Sequence, residues 1–424
     1  MSNNKSNQPL CRFPEFRDAG SWLEDMMQII FNIKNGYTPS KSNPLYWEDG
    51  TIPWFRMEDI RKNGHILSDS IQHITALGVK KGGLFPAYSI IVATTATIGE
   101  HALIIVDSLA NQQFTFLTKR KSFCDKIDMK YFHYFMFIVD GWCKRNTNSG
   151  GLLSVNMDSF KKLMIPYPQS LTEQHKIAGC FSTLDRMIDA TKRKLELLKE
   201  HRKGLMQRLF PAKGKTVPDF RFPEFRNDTE WKEDVFSAIF NRITERNKLG
   251  CNNVLTISAQ YGLVSQDEYF NKKIAASDLS NYFLIHQNDF AYNKSRSQGF
   301  PHGVIKPLKL YKEGIVSPIY LCFRIKDCVK CDNAYCEYYF ETEIMNQQIG
   351  LIAQEGSRCH GLLNISTEDF FQGLMISYPP TLAEQRKIAA CFLSLDKVIG
   401  DCKKRIDTLE QHRQGLMQQL FPKI

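Results

Sequence analysis

Two motifs in the sequence contain residue types that could support phosphate or metal chemistry. Residues 214–216 (GKT) resemble the end of a phosphate-binding loop, but the upstream glycine that such a loop needs is missing. Asp219 and Glu230 with Lys232 could serve metal-assisted hydrolysis, as in nucleases. They flank a repeated element, however, and the first copy of that element has no matching lysine. Neither motif predicts an active site.

A methyltransferase motif and a zinc site are equally incomplete. Residues 43–46 (NPLY) differ at their third position from the Asn-Pro-Pro-Tyr/Phe loop of adenine methyltransferases, and no glycine-rich cofactor loop accompanies them. Cys328 and Cys331 lie near Cys322 and Cys336, but a second Cys-x-x-Cys or a pair of histidines is missing. We therefore predict reduced structural thiols, no metal and a non-catalytic chain.

Polar side chains cluster at places in the chain where they could contact a nucleic acid. Hydroxyl and amide groups suit base edges, and cations suit phosphates or guanines. A solvated surface loop has the same composition, so each cluster taken alone has this second interpretation. The candidate DNA contacts are Thr94, Thr95, Thr97, Asn111, Gln112 and Gln113 in the first half, and Asn293, Lys294, Ser295 and Arg296, with Gln298, in the second.

The segments that must position these clusters occur as two repeats in the sequence. Residues 12–17 (RFPEFR) recur letter for letter at 221–226, and residues 173–211 recur at 384–422 with 21 of 39 positions identical. Residues 151–153 also match 361–363, and residues 165–168 resemble 376–379, whereas residues 30–150 and 240–350 show no resemblance to each other. Because a duplicated enzyme would keep its active site in both copies, the repeat indicates that a framework was preserved around two different middles.

Each repeated 39-residue segment predicts one long helix. Ser170 precedes Glu173, and Thr381 precedes Glu384, with the spacing of a capping box, in which hydroxyl and carboxylate each bind an N–H of the first turn. Apolar residues then alternate at spacings of four and three, which is typical of a coiled coil. At 1.5 Å per residue, each helix would be about 55 Å long.

The apolar stripes predict that the two helices pair with each other. One such stripe alone would usually pack on its own domain, but two matched copies favour pairing. Arg202 and Arg413 interrupt both stripes at the same register, and a polar residue there fixes alignment at a cost in stability. The predicted seam positions are Ile177, Leu184, Ile188, Leu195, Leu198, Arg202 and Leu205, and then Ile388, Leu395, Ile399, Ile406, Leu409, Arg413 and Leu416.

The two middles predict compact α+β domains. In the first half, residues 54–55, 90–92 and 114–117 predict strands and residues 129–145 predict an aromatic-rich helix. In the second half, residues 254–257 and 319–323 predict strands and residues 333–349 predict one helix.

Composition limits the partners and the compartment. The 424 residues carry 55 Lys+Arg and 45 Asp+Glu, a net charge of +10, and 43% are hydrophobic. These values exclude collagen and bulk disorder and favour an anionic partner. The polar N-terminal residues and the scattered cysteines predict a cytoplasmic protein with no membrane partner.

The repeated segments resemble the specificity subunit of type I restriction–modification systems. The similarity rests on Glu-Gln-x-Lys-Ile-Ala at 173–178 and 384–389, and on helix ends His-Arg-x-Gly-Leu-Met-Gln-x-Leu-Phe-Pro at 201–211 and 412–422. Residues 46–47 (YW), 52–54 (IPW) and 97–99 (TIG) also resemble recurring segments of its target-recognition domains. The resemblance covers nearly the whole chain.

This resemblance implies two α+β target-recognition domains, joined by two long antiparallel coiled-coil helices in a pseudo-two-fold internal repeat. The predicted boundaries are 1–170 for the first domain, 171–211 for the central helix, 212–219 for a linker, 220–380 for the second domain and 381–424 for the C-terminal helix.

The resemblance also implies partners. Each domain would read one half of an asymmetric bipartite site in double-stranded DNA, and the helices would set the spacing and dock two methyltransferase subunits. Motor–nuclease subunits would complete the complex. No cofactor is expected on this chain, whereas S-adenosylmethionine, ATP and Mg are expected on the partner subunits.

Two other classes of function fit parts of the sequence. A fused methyltransferase or nuclease would transfer methyl groups or cleave DNA by itself. A coiled-coil scaffold would bind proteins and show no sequence-selective DNA binding, even beside a methyltransferase partner.

Overall fold

The computed structural model describes residues 8–148, 153–248, 250–258, 262–270, 278–297, 299–353 and 363–424. The chain divides into two compact units, the first formed by 1–192 and 404–424 and the second by 193–403. Among the described residues, no helix is long and apolar enough to cross a membrane.

Two long helices run through the repeat. The central helix spans Leu171–Leu209 and the C-terminal helix spans Leu382–Leu420, so each has 39 residues, as the repeat predicts. The division between the units falls inside both helices. Each unit therefore contains one globular domain, half of the central helix and half of the C-terminal helix.

The first unit is built on an antiparallel sheet with one parallel edge strand. The sheet order is Phe31–Asn35, Phe114–Lys119, Ser89–Ala93, His101–Ile104 and Ile66–Leu67. A smaller sheet places Ile52–Phe55 between His73–Ile74 and Leu109–Ala110. Two further strand pairs join Leu23–Met26 to Met164–Tyr167 and Thr147–Asn148 to Ser154–Val155. Its shorter α-helices are Met27–Ile30, Met57–Asn63, Met129–Arg145 and Met157–Lys161.

The second unit has a four-stranded antiparallel sheet in the order Phe240–Ile243, Leu321–Ile325, Phe290–Asn293 and Val304–Pro307. Its strand pairs join Lys232–Val235 to Met375–Tyr378, Leu255–Ser258 to Gly262–Ser265, and Phe283–His286 to Glu313–Val316. Its shorter α-helices are Phe236–Ile239, Gln266–Phe270, Asn333–Tyr339, Glu343–Ile352 and Thr367–Gly373.

The two main sheets are equivalent although their sequences show no repeat. The first four strands of the first sheet have the same order and antiparallel pairing as the four strands of the second. A strand needs only side chains that fit a half-buried pleated surface, so its amino-acid sequence can diverge while the strand pairing is kept. The repeat therefore extends through the middles in structure.

The core of each unit reaches onto the long helices. In the first unit, Phe181 of the central helix stacks on Phe421 just beyond the C-terminal helix, with ring centroids 5.6 Å apart. In the second, Phe392 stacks on Phe210 with centroids 5.9 Å apart. Each core thus packs the beginning of one long helix against the end of the other.

The sequence prediction of strands and helices is confirmed with three corrections. The helix predicted over 129–145 has those bounds. The helix predicted over 333–349 is instead two helices, because the Thr342 hydroxyl accepts the backbone N–H of Met345 and begins a second helix at Glu343. The predicted strand 319–323 lies two residues further on, at Leu321–Ile325.

The third correction concerns the predicted capping boxes. The Glu173 carboxylate binds the Arg12 guanidinium at 2.6 and 2.9 Å and accepts the Trp22 indole N–H at 3.3 Å. It is 1% exposed. A buried carboxylate gains more from a bidentate guanidinium than from one backbone N–H, so only the Ser170 hydroxyl serves the first turn. We call Arg12, Glu173 and Trp22 the first clasp.

The second unit repeats this arrangement. Arg221 binds Glu384 through two contacts of 2.7 Å, and Trp231 donates to the same carboxylate at 3.3 Å. Arg221, Glu384 and Trp231 form the second clasp. The first arginine of each hexapeptide copy therefore binds the first turn of one long helix.

Candidate nucleic-acid interface

The first candidate cluster follows the strand Ser89–Ala93. Thr94 is buried, and its hydroxyl lies 3.0 Å from the Thr115 hydroxyl of the neighbouring strand. Thr94 is therefore removed from the candidate DNA contacts, because its hydroxyl is occupied within the sheet. Thr95 is half-buried, and the next residue, Ala96, has a left-handed φ of 63°.

Thr97 has a different environment from its neighbours. Its hydroxyl oxygen is buried and has no hydrogen-bond partner within the part of the chain that the structure describes. Gly99, with φ of 90°, lies so close to Asp140 that a Cβ there would be 1.7 Å from a carboxylate oxygen. A side chain at Gly99 would push the turn away from the helix Met129–Arg145.

The second candidate cluster lies beside the first. Thr94 N–H donates to the Gln113 carbonyl at 3.0 Å, which brings residues 94–97 and 111–113 together. Asn111 accepts the Gln113 backbone N–H at 3.1 Å and thereby shapes the turn. Gln112 is exposed at the tip, where its amide oxygen accepts the Thr38 hydroxyl. Thr38 is therefore a neighbour of this cluster that the sequence analysis did not identify.

The cluster in the second unit follows the strand Phe290–Asn293. Asn293 accepts the Ser295 backbone N–H at 3.0 Å, and the Lys294 ammonium reaches the Ile365 carbonyl at 3.5 Å. Arg296 is exposed. Gln298 lies outside the described residues. Arg296 is thus the exposed cation of this cluster, whereas Lys294 is half-buried.

The clusters at Thr95 and Lys294 occupy equivalent places in the two units. Each follows the third strand of its main sheet, Ser89–Ala93 or Phe290–Asn293. Each is also tied to a later segment by a backbone bond: Ala96 donates to the Leu153 carbonyl at 3.2 Å, and Leu363 donates to the Lys294 carbonyl at 3.0 Å. One scaffold therefore presents threonine and amide groups in one unit and basic groups in the other.

The seam residues of the long helices are all buried or half-buried. Within the first unit, Arg413 of the C-terminal helix contacts Asp185 of the central helix at 2.7 Å, and Lys192 contacts Glu410 at 2.7 Å. Since 185 precedes 192 while 413 follows 410, the two helix halves run antiparallel. In the second unit, Arg202 contacts Asp396 at 2.6 Å.

The structure reveals partners of the seam arginines that the sequence prediction missed. Asp185 accepts the Tyr134 hydroxyl at 2.9 Å, and Asp396 accepts the Tyr338 hydroxyl at 3.1 Å. Both aspartates occupy matching positions of the 39-residue repeat, and this match in the sequence could have identified them as partners of the seam arginines. The tyrosines carried no such signal, because they lie in the middles that share no sequence.

The surroundings of the seam arginines set several pKa values. Burial opposes the charge of Arg202, but its bonds to Asp396 and Glu341 outweigh burial and raise the pKa of Arg202. Near Arg413, burial lowers the pKa of His101 to about 3, and it lowers the pKa of His133 well below the ordinary range. Both histidines are therefore neutral at pH 7.

Comparison with known proteins shows that part of the chain is similar to one protein family. Residues 23–200 match the model of the type I restriction modification DNA specificity domain. The EcoprrI specificity subunit of Escherichia coli is 52% identical over 147 residues, which cover 35% of this chain and 36% of that protein. The MjaIX specificity subunit of Methanocaldococcus jannaschii is 26% identical over 259 residues, covering 60% and 56%. The matches thus span about a third and about half of these two relatives.

Solved structures share the fold over nearly the whole chain. The type I restriction–modification S subunit from M. genitalium has a TM-score of 0.59 at 13% identity, covering 98% of this chain and 100% of that one. The HsdS subunit from Thermoanaerobacter tengcongensis has a TM-score of 0.51 at 14% identity, covering 95% and 97%. The fold is thus that of a two-domain protein with two long antiparallel helices. Residues 23–200 thus resemble the DNA specificity domain, and the 147 residues shared with the E. coli relative resemble a type I specificity subunit, whereas over the whole chain the solved structures share the fold.

Proposed function

We propose that this chain is the sequence-specific DNA-binding subunit of a type I restriction–modification complex and that it is not itself an enzyme. Each domain reads one half of an asymmetric bipartite site in double-stranded DNA. The match of residues 23–200 to the DNA specificity domain supports DNA recognition, and the two equivalent domains support a site with two halves.

One observation carries the proposal of an asymmetric site. The same strand end presents Thr95 beside Gln112 in the first unit and Ser295 with Arg296 in the second. Amide and hydroxyl groups pair with different base edges from those that a guanidinium prefers, which is guanine. Equal scaffolds with unequal side chains therefore select unequal half-sites.

We further propose that the long helices set the gap between the half-sites. Each helix is continuous through 39 residues, and its predicted seam residues are buried or half-buried. DNA repeats its grooves about every 34–36 Å, so two reading domains must keep both distance and phase. A flexible linker would allow many separations, whereas paired helices allow one.

Two methyltransferase subunits are the proposed partners of the repeated helices. Met187 and Val398 occupy matching positions 211 residues apart, and they are exposed at 38% and 40%. Matched exposed apolar side chains support two equal docking places for two equal partners. S-adenosylmethionine is then held by the methyltransferases, and ATP with Mg by motor–nuclease subunits in the full complex.

Selection from randomised duplex DNA tests this function. The full chain with its methyltransferase partner should enrich two different sequence blocks at one fixed gap. Inserting four residues, about one helical turn of 5.4 Å, after Leu195 should change the gap or abolish assembly and leave both blocks unchanged. An insertion variant that binds with the original gap would contradict the role of the helices in spacing.

A second assay separates this proposal from a fused enzyme. The purified chain alone should transfer no methyl group from labelled S-adenosylmethionine to DNA and should leave the DNA uncut. Methyl transfer by the chain alone would contradict the proposal. The scaffold alternative predicts no enriched sequence in the selection, even with the partner present.

A further inference from the structure

Two thiols lie in contact at the beginning of a helix in the second unit. The Sγ atoms of Cys331 and Cys336 are 3.1 Å apart. Asp332 is the N-cap of the helix Asn333–Tyr339 and accepts the N–H groups of Ala334 and Tyr335. Cys331 and Cys336 therefore hold the N′ and N4 positions, which normally carry two apolar side chains that pack as a hydrophobic staple.

The first unit shows the ordinary form of this staple. Asp128 caps the helix Met129–Arg145 and accepts the Tyr131 N–H at 2.7 Å. At the same offsets from the cap stand Ile127 and Phe132, both fully buried. The same structural position is thus chemically inert in one unit and carries two oxidisable groups in the other.

The two thiols differ in access. Cys336 is fully buried, and burial raises the pKa of its thiol well above the ordinary value. Cys331 is half-buried and lines an open cleft of about 600 Å³, together with Lys330, Asn333 and Arg386. A small reagent in the cleft can therefore reach Cys331 directly but can reach Cys336 only through Cys331.

Among the described residues, no third metal-binding side chain groups with these two thiols. Cys322 packs in a different core cluster, and the described ranges contain no group of three His, Cys, Asp or Glu side chains that could hold a metal ion.

We propose that Cys331 and Cys336 form a reversible disulfide by exchange with a low-molecular-weight disulfide of the glutathione type, so that the staple of the second domain is a redox modification site. The Cys331 thiolate attacks one sulfur of the oxidised reagent, forms a mixed disulfide and releases one reagent thiolate. Cys336 then loses its proton, attacks the Cys331 sulfur and displaces the second reagent thiolate. Two protein thiols are oxidised and one reagent disulfide is reduced to two thiols.

The disulfide would lock a junction with the C-terminal helix. Gln385 accepts the Asp332 N–H at 2.7 Å and donates to the Lys330 carbonyl at 3.2 Å. Arg386 also contacts Asp332 at 3.4 Å. A covalent link between residues 331 and 336 would hold the loop around Asp332 against the helix Asn333–Tyr339, which Asp332 caps. The loop would then open less often, whereas the first unit, with Ile127 and Phe132, would be unaffected.

Mapping by trypsin and mass spectrometry tests the proposal. The full chain is equilibrated with a series of reduced and oxidised glutathione ratios, blocked with iodoacetamide and digested. No Lys or Arg separates Cys331 from Cys336, so their disulfide stays within peptide 331–358 and lowers its unalkylated mass by two hydrogens. Cys328 lies in peptide 327–330, so a bond from Cys328 to Cys331 would join two peptides.

The expected result is the internal disulfide in peptide 331–358, reversed by excess reduced glutathione. Cys336→Val should stop at the mixed disulfide on Cys331, Cys331→Val should leave Cys336 unmodified, and Cys328→Ala should behave as the original chain. Valine keeps the staple apolar, so these variants should fold.

Hydrogen exchange gives the structural readout on the same samples. Oxidation should slow exchange at least threefold in residues 326–339 and leave 121–135 unchanged. The proposal is overturned if only the mixed disulfide forms in the original chain, if Cys328 is the partner, if the peptide stays reduced in excess oxidised glutathione, or if exchange slows equally in both units.

Discussion

The two seam arginines stand at matching positions of the repeat and meet different surroundings. Arg413 in the first unit contacts Asp185 at 2.7 Å, and its guanidinium lies 4.5 Å from the centre of the Phe137 ring. Arg202 in the second unit contacts Asp396 at 2.6 Å and Glu341 at 2.7 Å. Arg413 is therefore held by one carboxylate and a close aromatic ring, whereas Arg202 is held by two carboxylates and has its aromatic rings further away, at 5.8 and 5.9 Å.

The layer behind each arginine extends this difference. In the first unit, the buried His101 and His133 rings lie 4.5 and 5.7 Å from Phe137. In the second, Lys306 contacts the Glu341 carboxylate. The arginine and the aspartate of the repeated frame are the same in both units, whereas the layer that joins the frame to each sheet is histidine-rich in one unit and ionic in the other. The two units should therefore respond differently to the same perturbation.

The largest expected effect comes from breaking a clasp. Arg221→Ala leaves Glu384 buried without its cation, which should cost the second unit about 3–5 kcal/mol of unfolding free energy. Arg12→Ala should cost the first unit less, because the Arg12 side chain is 13% exposed and that of Arg221 is 6% exposed. Amide hydrogen exchange measured separately in each unit checks both values.

Arg17→Ala is the matched control for the clasps. Arg17 belongs to the same hexapeptide as Arg12 but is exposed, so its loss should leave exchange in both units unchanged. A cost for Arg17→Ala equal to that of Arg12→Ala would contradict the assignment of Arg12 to a clasp.

The next largest effect is that a fall in pH should destabilise the first unit and not the second. His101 and His133 have a lower pKa in the folded chain than in the unfolded chain. As pH falls below about 6.5, the unfolded chain therefore binds more protons than the folded chain. The two histidines thus stabilise the first unit above about pH 6.5 and lose that contribution as pH falls. At pH 5 the loss is about 2 kcal/mol for each histidine that stays neutral.

The second unit should keep its stability over the same pH range. Burial opposes the charge of Glu341, but Lys306 and Arg202 lower its pKa, so its contribution is lost only as pH falls below about 4.5. Unfolding followed from pH 7 to 5 should weaken the first unit alone, and His101→Gln should flatten the slope. Equal weakening of both units would show that the histidine-rich layer does not set the difference.

Replacing the seam arginines should give a smaller contrast. Arg202→Met removes bonds to two carboxylates and should cost the second unit about 3 kcal/mol, whereas Arg413→Met removes one such bond and should cost the first unit about 1.5 kcal/mol. Chemical denaturation with unit-resolved exchange measures both. Equal losses would mean that Glu341 adds nothing to the hold on Arg202.

The smallest expected effects concern DNA contacts. Arg296→Ala should weaken binding by about 1 kcal/mol and alter selectivity in one half-site only. Thr95→Val should have a similar effect on the other half-site. Thr94→Val is the control, since its hydroxyl is already bonded to Thr115 and should not reach DNA. Binding assays at fixed salt compare the three variants, and an equal loss for Thr94→Val would contradict its removal from the contacts.

The sequence predicted elements whose signal is local. The 3.5-residue period of the seam and the aromatic run of Met129–Arg145 determine helices without reference to the rest of the chain, and both long helices and Met129–Arg145 were predicted. The break at Thr342 was missed, because a hydroxyl that accepts a nearby N–H competes with a continuous helix only when packing allows it.

Features that depend on distant residues could not be predicted. Glu173 has the spacing of a helix cap, but its partner Arg12 lies 161 residues away. Thr94 was chosen for its chemistry, and its burial is decided by Thr115 on a neighbouring strand. The clusters at Thr95 and Lys294 were chosen separately, and only the strand order places them at equivalent positions.

A domain exchange tests the central claim most directly, namely that two equivalent domains read two different half-sites independently. Residues 220–375 would be replaced by the second domain of a known type I specificity subunit, and DNA from cells carrying the chimera and its methyltransferase partner would be profiled for methylation. One half-site should change while the other half-site and the gap stay the same. A change in both half-sites, or in the gap, would contradict the account.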